Sequence, residues 1–175
     1  MRSDTALLLI DPQITMFDPA DPVDSAEIML QRMTHFLARA RSAHMPVVFI
    51  RHCGKVGGPF ERGTPGWQLH PSLQPAEGDL VLDKTTRDTF ASTALGDELA
   101  ARGIKRLIIA GFQSEFCVRA TTLGALARGF DATLVSNGHS TCDSGGRTAA
   151  EISTAVNVEL ADRVRLQSAE EVSLP

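Results

Sequence analysis

No stretch of this chain approaches the ~18 consecutive apolar residues that a membrane span needs, so a bilayer is not an expected partner. No Lys/Arg cluster forms a basic stripe, and the formal net charge is a small −4, which argues against nucleic acid. Cysteine is scarce. Cys53, Cys117 and Cys142 are an odd set with no CxxC spacing. This argues against a disulfide framework or a structural zinc site, and for a reducing, cytoplasmic setting. A signal-peptide pattern is missing too: the apolar run Ala6–Ile10 is short and meets Asp11-Pro12. No GxGxxG follows that run, which excludes a dinucleotide-binding Rossmann site. Internal repeats and low-complexity tracts are also lacking.

What is present is ordinary for a globular protein. The 175 residues are 43% apolar and 22% charged, enough for a hydrophobic core in one domain, 1–175. Thr5–Ile10 is a continuous apolar run that fits a strand buried on both faces. Residues 12–24 read as a Pro/Asp-rich loop. Ser25 can cap a helix with Ile28, Met29, Met33, Phe36, Leu37 and Ala40 at helical spacing. Further strands are expected at 47–50, 80–82, 106–110, 131–136 and 164–166, with helices over about 92–101 and 147–161. A loop is expected at 137–146 and a polar tail at the end. The Gly/Pro-rich segment 52–79 is long for a loop, and such loops are usually functional.

Strands alternating with helices imply a parallel sheet covered on both faces, with sites beyond the C-terminal strand ends. Three candidates fall there: Asp11 after the first strand, Lys84 after the third and Cys117 after the fourth. Cys117 follows the strand through Gly111-Phe-Gln-Ser-Glu-Phe and precedes a helical pattern that stops at Gly129. A helix start there would lower the thiol pKa and hold a thiolate. A small buried core residue is the other reading of Cys117. Asp11 is either a strand-ending turn residue or a desolvated general base. Lys84 is either a surface lysine or the charge that holds Asp11 and the thiolate.

Four segments carry a family resemblance: Leu7-Leu-Leu-Ile-Asp11-Pro-Gln13; Leu82-Asp-Lys84 followed by Thr89-Phe90-Ala-Ser-Thr93; Gly111 to Val118; and Thr121 through Gly129 into Val135. In these the chain resembles the isochorismatase-like cysteine hydrolases. The resemblance implies an α/β fold of three layers, with a six-stranded, mostly parallel Rossmann-like sheet and helices on both faces. It implies a triad of Asp11, Lys84 and Cys117 that cleaves C–N amide, lactam or ureido bonds of a small molecule through a thioester. The backbone N–H groups of Gln113 and Cys117 become the expected oxyanion donors, and Phe112–Gln113 the expected site of a cis peptide bond. A homo-oligomer, dimer or larger, is the expected assembly.

The sequence departs from one branch of these relatives. The nicotinamidase Asp-x-His metal motif is replaced by Arg51-His52-Cys53-Gly54, so neither a metal nor another cofactor is expected. Two alternatives are an isochorismatase-type vinyl ether hydrolase and a non-catalytic binding or scaffold relative. Expected pocket residues are Phe17, His52, Trp67, Gln113 and Phe116, with Glu115 and His139 as further candidates. Trp67 could equally plug its own loop, His52 could be a neutral packed histidine, and His139 could cap a turn. Gln113 and Glu115 suggest a polar, basic or amide-bearing substrate. Cys53 and Cys142 read as ordinary thiols.

Overall fold

The computed structural model describes residues 3–18 and 20–174. Pro19, in the expected 12–24 loop, and Pro175, in the expected tail, lie outside the described residues, as do Met1 and Arg2. The strands are β1 (Thr5–Ile10), β2 (Val47–His52), β3 (Leu80–Lys84), β4 (Arg106–Phe112), β5 (Asp131–Ser140) and β6 (Arg165–Gln167). They form one sheet in the order β3-β2-β1-β4-β5-β6, and every pairing is parallel.

The period-2 alternation of a strand divides β1 between two cores. Leu7 and Leu9 face the cluster closed by α1 (Ala26–Ser42), through Met29, Met33, Phe36, Leu37 and Ala40. Ala6, Leu8 and Ile10 face the opposite cluster. There Leu95 and Leu99 of α3 (Leu95–Ala101), Ala125 of α4 (Arg119–Ala127), and Val156 and Leu160 of α5 (Ala149–Leu160) cover the sheet. The short helix α2 (Thr89–Ser92) adds Phe90 to that side. The result is the expected three-layer arrangement.

Because β1 is apolar on both faces, hydrophobicity alone does not fix its register. Gly111 supplies a constraint. It pairs with Ile10, and a Cβ built on it would lie 2.1 Å from the Ile10 carbonyl oxygen, at a φ of +137°. The strand order also reverses at this pair. The chain proceeds from β1 to β2 to β3, then returns to place β4 on the other side of β1. Loops leaving β1 and β4 therefore diverge and open a crevice at their C-terminal ends.

Several sequence expectations need correction. The strands run further at their C-terminal ends: β2 to His52, β3 to Lys84, β4 to Phe112 and β5 to Ser140. Polar residues at these ends conceal pairings such as His52 with Lys84, Gly111 with His139 and Phe112 with Ser140. The helix expected over 92–101 is two helices, α2 and α3. Asp88 caps the first by accepting from the Phe90 amide, and extended Thr93 breaks the run. Ser25 does not cap α1. It lies in the left-handed region, and its hydroxyl donates to Asp24 instead. The polar tail is docked: Ala169 and Val172 are buried in the α1 core, and Arg39 donates to both of their carbonyls.

Candidate active site

Three side chains meet at the crevice. Asp11 is the first residue after β1 and takes a left-handed φ of +52°, which an aspartate tolerates better than a bulkier residue. Lys84 ends β3, and its side chain is fully buried. Cys117 lies in a π-turn, Ser114–Val118, that joins β4 to α4. The peptide bond Phe112–Gln113 just before this turn is cis.

The Lys84 ammonium has three hydrogens and finds three acceptors: Asp11 Oδ2 at 2.8 Å, Cys117 Sγ at 3.0 Å and His52 Nδ1 at 3.2 Å. Its donor capacity is thus spent. The Asp11 carboxylate is not spent, because Oδ1 is buried without any hydrogen-bond partner. With His52 Nδ1 accepting, a neutral ring carries its proton on Nε2.

The electrostatics follow from this enclosure. Burial raises the Asp11 pKa, and the Lys84 charge partly offsets that rise. Burial disfavours the Lys84 ammonium, but Asp11 and Cys117 together outweigh it and hold its pKa above the ordinary lysine value. Burial and then the Asp11 charge push the Cys117 thiol up to about 12, against the pull of Lys84. This corrects the expected resting thiolate at a helix start. The amides of Phe116 and Val118 are occupied by the Gln113 carbonyl, at 3.2 Å each, and the surroundings desolvate the sulfur. Burial and the Lys84 charge bring His52 down to about 4, so its ring is neutral.

A cavity of about 400 Å³ opens over the triad, lined by Asp11, Cys117, His52, Gln113 and Phe116 together with Met16, Phe60 and Thr85–Arg87. Of the expected pocket residues, His52, Gln113 and Phe116 are in this lining. Phe17 is not. Its ring packs edge-on against Phe112 and His70, and the adjacent Met16 lines the cavity instead. Trp67 is also outside. It is buried under the Arg51 guanidinium at 3.9 Å, and its indole N–H donates to Cys53 Sγ, so it anchors its loop.

His139 stands behind the elbow. Asn157 donates through Nδ2 to the Ser136 carbonyl, leaving its Oδ1 to accept from His139 Nε2. His139 Nδ1 therefore accepts from Ser114, the first residue of the π-turn, at 2.8 Å. Glu115 is not part of the lining, and its buried Oε2 has no hydrogen-bond partner.

Gln13 was passed over by sequence reasoning, although it lies within a motif segment. Fully buried, it accepts from the His52 amide and donates to the carbonyls of His52 and Trp67. It thereby clamps the end of β2 to the loop 52–79. The signal that could have found Thr85–Arg87 was positional, since they directly follow the β3 end that carries Lys84.

Asp11, His52 and Cys117 bring potential metal-ligand atoms within 4.8 Å of one another. The Lys84 ammonium contacts all three residues, so a cation there would compete with a fixed positive charge. The donor set fits an ammonium-centred triad better than a metal site.

The model of the Isochorismatase domain matches residues 5–162. Two streptothricin hydrolases from Streptomyces noursei are 37% and 39% identical to the chain over 143 and 138 residues, or 82% and 79% of its length. The matched regions are 57% and 50% of those proteins, so the chain spans about half the length of these relatives. A ureidoacrylate amidohydrolase from Variovorax paradoxus is 26% identical, with 90% of this chain and 75% of that protein covered. The crystal structure of an isochorismatase from Pseudomonas putida superposes with a TM-score of 0.91 at 27% identity, covering 97% of this chain and 90% of the other.

Proposed function

Because the chain belongs to the isochorismatase family, we propose that it is a cysteine hydrolase that cleaves an amide, lactam or ureido C–N bond of a small molecule. The observation that carries this reading is the free Asp11 Oδ1 beside a thiol already hydrogen-bonded to Lys84. It provides a proton acceptor and a nucleophile facing one cavity, and beneath them a charge that steadies both.

In this reaction the Cys117 thiol gives its proton to Asp11 as sulfur bonds to the substrate carbonyl carbon. The carbonyl oxygen becomes an oxyanion. Our candidate donors to it are the backbone N–H groups of Gln113 and Cys117; the former donates to no group among the described residues. Losing one such donor typically costs ~10²–10³ in rate. Collapse breaks the C–N bond, and Asp11 returns the proton to the leaving nitrogen. Water then attacks the thioester with Asp11 again taking a proton, which releases the acid and restores the thiol. Lys84 stays charged throughout and steadies the negative charge as it passes between Asp11 and sulfur.

A screen across small amides, lactams and ureido compounds, read by ammonia or amine release, tests the class. The Cys117→Ala variant is expected to lose turnover while its circular dichroism and Tm stay close to wild type. Hydrolysis by that variant at the wild-type rate would rule out the covalent route.

A further inference from the structure

The cavity lining is electrically lopsided. Among the described residues that line it, only Asp11 and Arg87 carry a full charge, and Asp11 is neutralised by Lys84 beneath it. His52 is neutral, with its acceptor nitrogen occupied by Lys84. Among the described residues, Arg87 is thus left as the one uncompensated charge in the cavity lining. Among the described residues its side chain makes no ion pair and no hydrogen bond. Neighbouring Asp88 is turned instead to Arg128 and to the α2 amide. The Arg87 guanidinium is nevertheless positioned, because it lies over the Phe116 ring at 4.3 Å from the centroid. Phe116, Arg87 and Cys117 line the same cavity, so the stacking sets an unused, planar donor fork in the lining that holds the nucleophile. A guanidinium with free donors matches a carboxylate through two parallel hydrogen bonds.

We infer that Arg87 is a specificity-determining residue and that the substrate carries a carboxylate as well as the scissile amide or ureido group. A single carboxylate is the best fit, since one guanidinium balances one charge. This assignment rests on the hydrolase reading for the identity of the site, and of the polar, basic or amide-bearing substrates that Gln113 and Glu115 suggest it sets aside the basic one.

The test uses matched trios of anionic, neutral and cationic compounds. Succinamate, butanamide and 4-aminobutanamide form one. A second comprises 3-ureidopropanoate, propylurea and 2-aminoethylurea. Binding to the full-length Cys117→Ala protein is measured by titration calorimetry, and ammonia release by the wild type is measured in parallel. The anionic member should bind about 10- to 100-fold more tightly than its partners, the range typical of a charge-assisted hydrogen bond. Arg87→Gln in the Cys117→Ala background should erase that margin, and Arg87→Glu should shift preference to the cationic member. Equal binding within both trios, or an anion preference that survives Arg87→Gln, overturns the inference. Anion-selective binding with no turnover of any compound would uphold Arg87's role and count against the hydrolase reading. Turnover without charge preference would do the reverse.

Discussion

At the scale of single residues, the site turns on one proton. Lys84 retains its own, and the next is shared between Asp11 and Cys117, both of which burial pushes toward the protonated form. The thiol holds it at rest, since its pKa stands at about 12. This makes the effects of one substitution diverge. Asp11→Asn removes the negative charge that raises the thiol pKa while leaving Lys84, which lowers it. The pH profile of iodoacetamide alkylation at Cys117 should therefore move to lower pH in Asp11→Asn. Turnover should fall by about 10²–10⁴, the usual contribution of a positioned general acid–base. A profile that moves to higher pH would contradict this account of the electrostatics. The meeting of Asp11, Lys84 and Cys117 was legible because each follows or ends a strand within a motif segment. The state of the sulfur was not legible, since desolvation depends on packing from all sides and leaves no mark on local sequence.

At the scale of elements, the crevice depends on how closely β4 approaches β1. Gly111 permits that approach opposite Ile10, one residue before Asp11. Gly111→Ala should destabilise the protein by at least ~2 kcal/mol, through overpacking against backbone and a disfavoured φ. The control is Gly78→Ala, where φ is +91° and an added Cβ meets nothing within 4 Å. Chemical denaturation of the two variants should show a clearly larger loss for Gly111→Ala, and equal losses would remove Gly111's packing role. The same elements show where sequence reading falls short. β1 was legible residue for residue as an unbroken apolar run. The ends of β2, β3 and β5 were not, because His52, Lys84 and Ser140 are polar residues whose strand membership comes from partners distant in sequence. Aromatic residues in loops misled for a related reason. Phe17 and Trp67 have the composition of pocket residues, but a ring can satisfy the core as readily as a ligand, and only the fold decides.

At the scale of the whole molecule, histidines desolvated by full or partial burial couple stability to pH. His52 titrates near 6.5 in the unfolded chain and near 4 in the folded protein. Between these values the unfolded state holds more protons, so stability falls as pH falls through that window. Burial lowers His70 and His139 in the same direction. Asp11 acts oppositely, since its raised pKa lets the folded state take its proton first. Tm should drop as pH is lowered from about 6.5 toward 4, and the slope should be shallower in His52→Gln. A wild-type Tm that does not fall across this range would contradict the coupling. The three layers and the parallel sheet place the triad at a topological switch point, and none of the described helices is long and apolar enough to cross a membrane. The central claim, a covalent route through Cys117, is tested most directly by intact-mass and peptide mass spectrometry. A substrate from the hydrolysis screen would be mixed with enzyme and quenched in acid during turnover. The account predicts a mass gain equal to the acyl fragment, located on Cys117 and absent in Cys117→Ala. Steady turnover by Cys117→Ala, with no adduct on the wild-type protein, would contradict it.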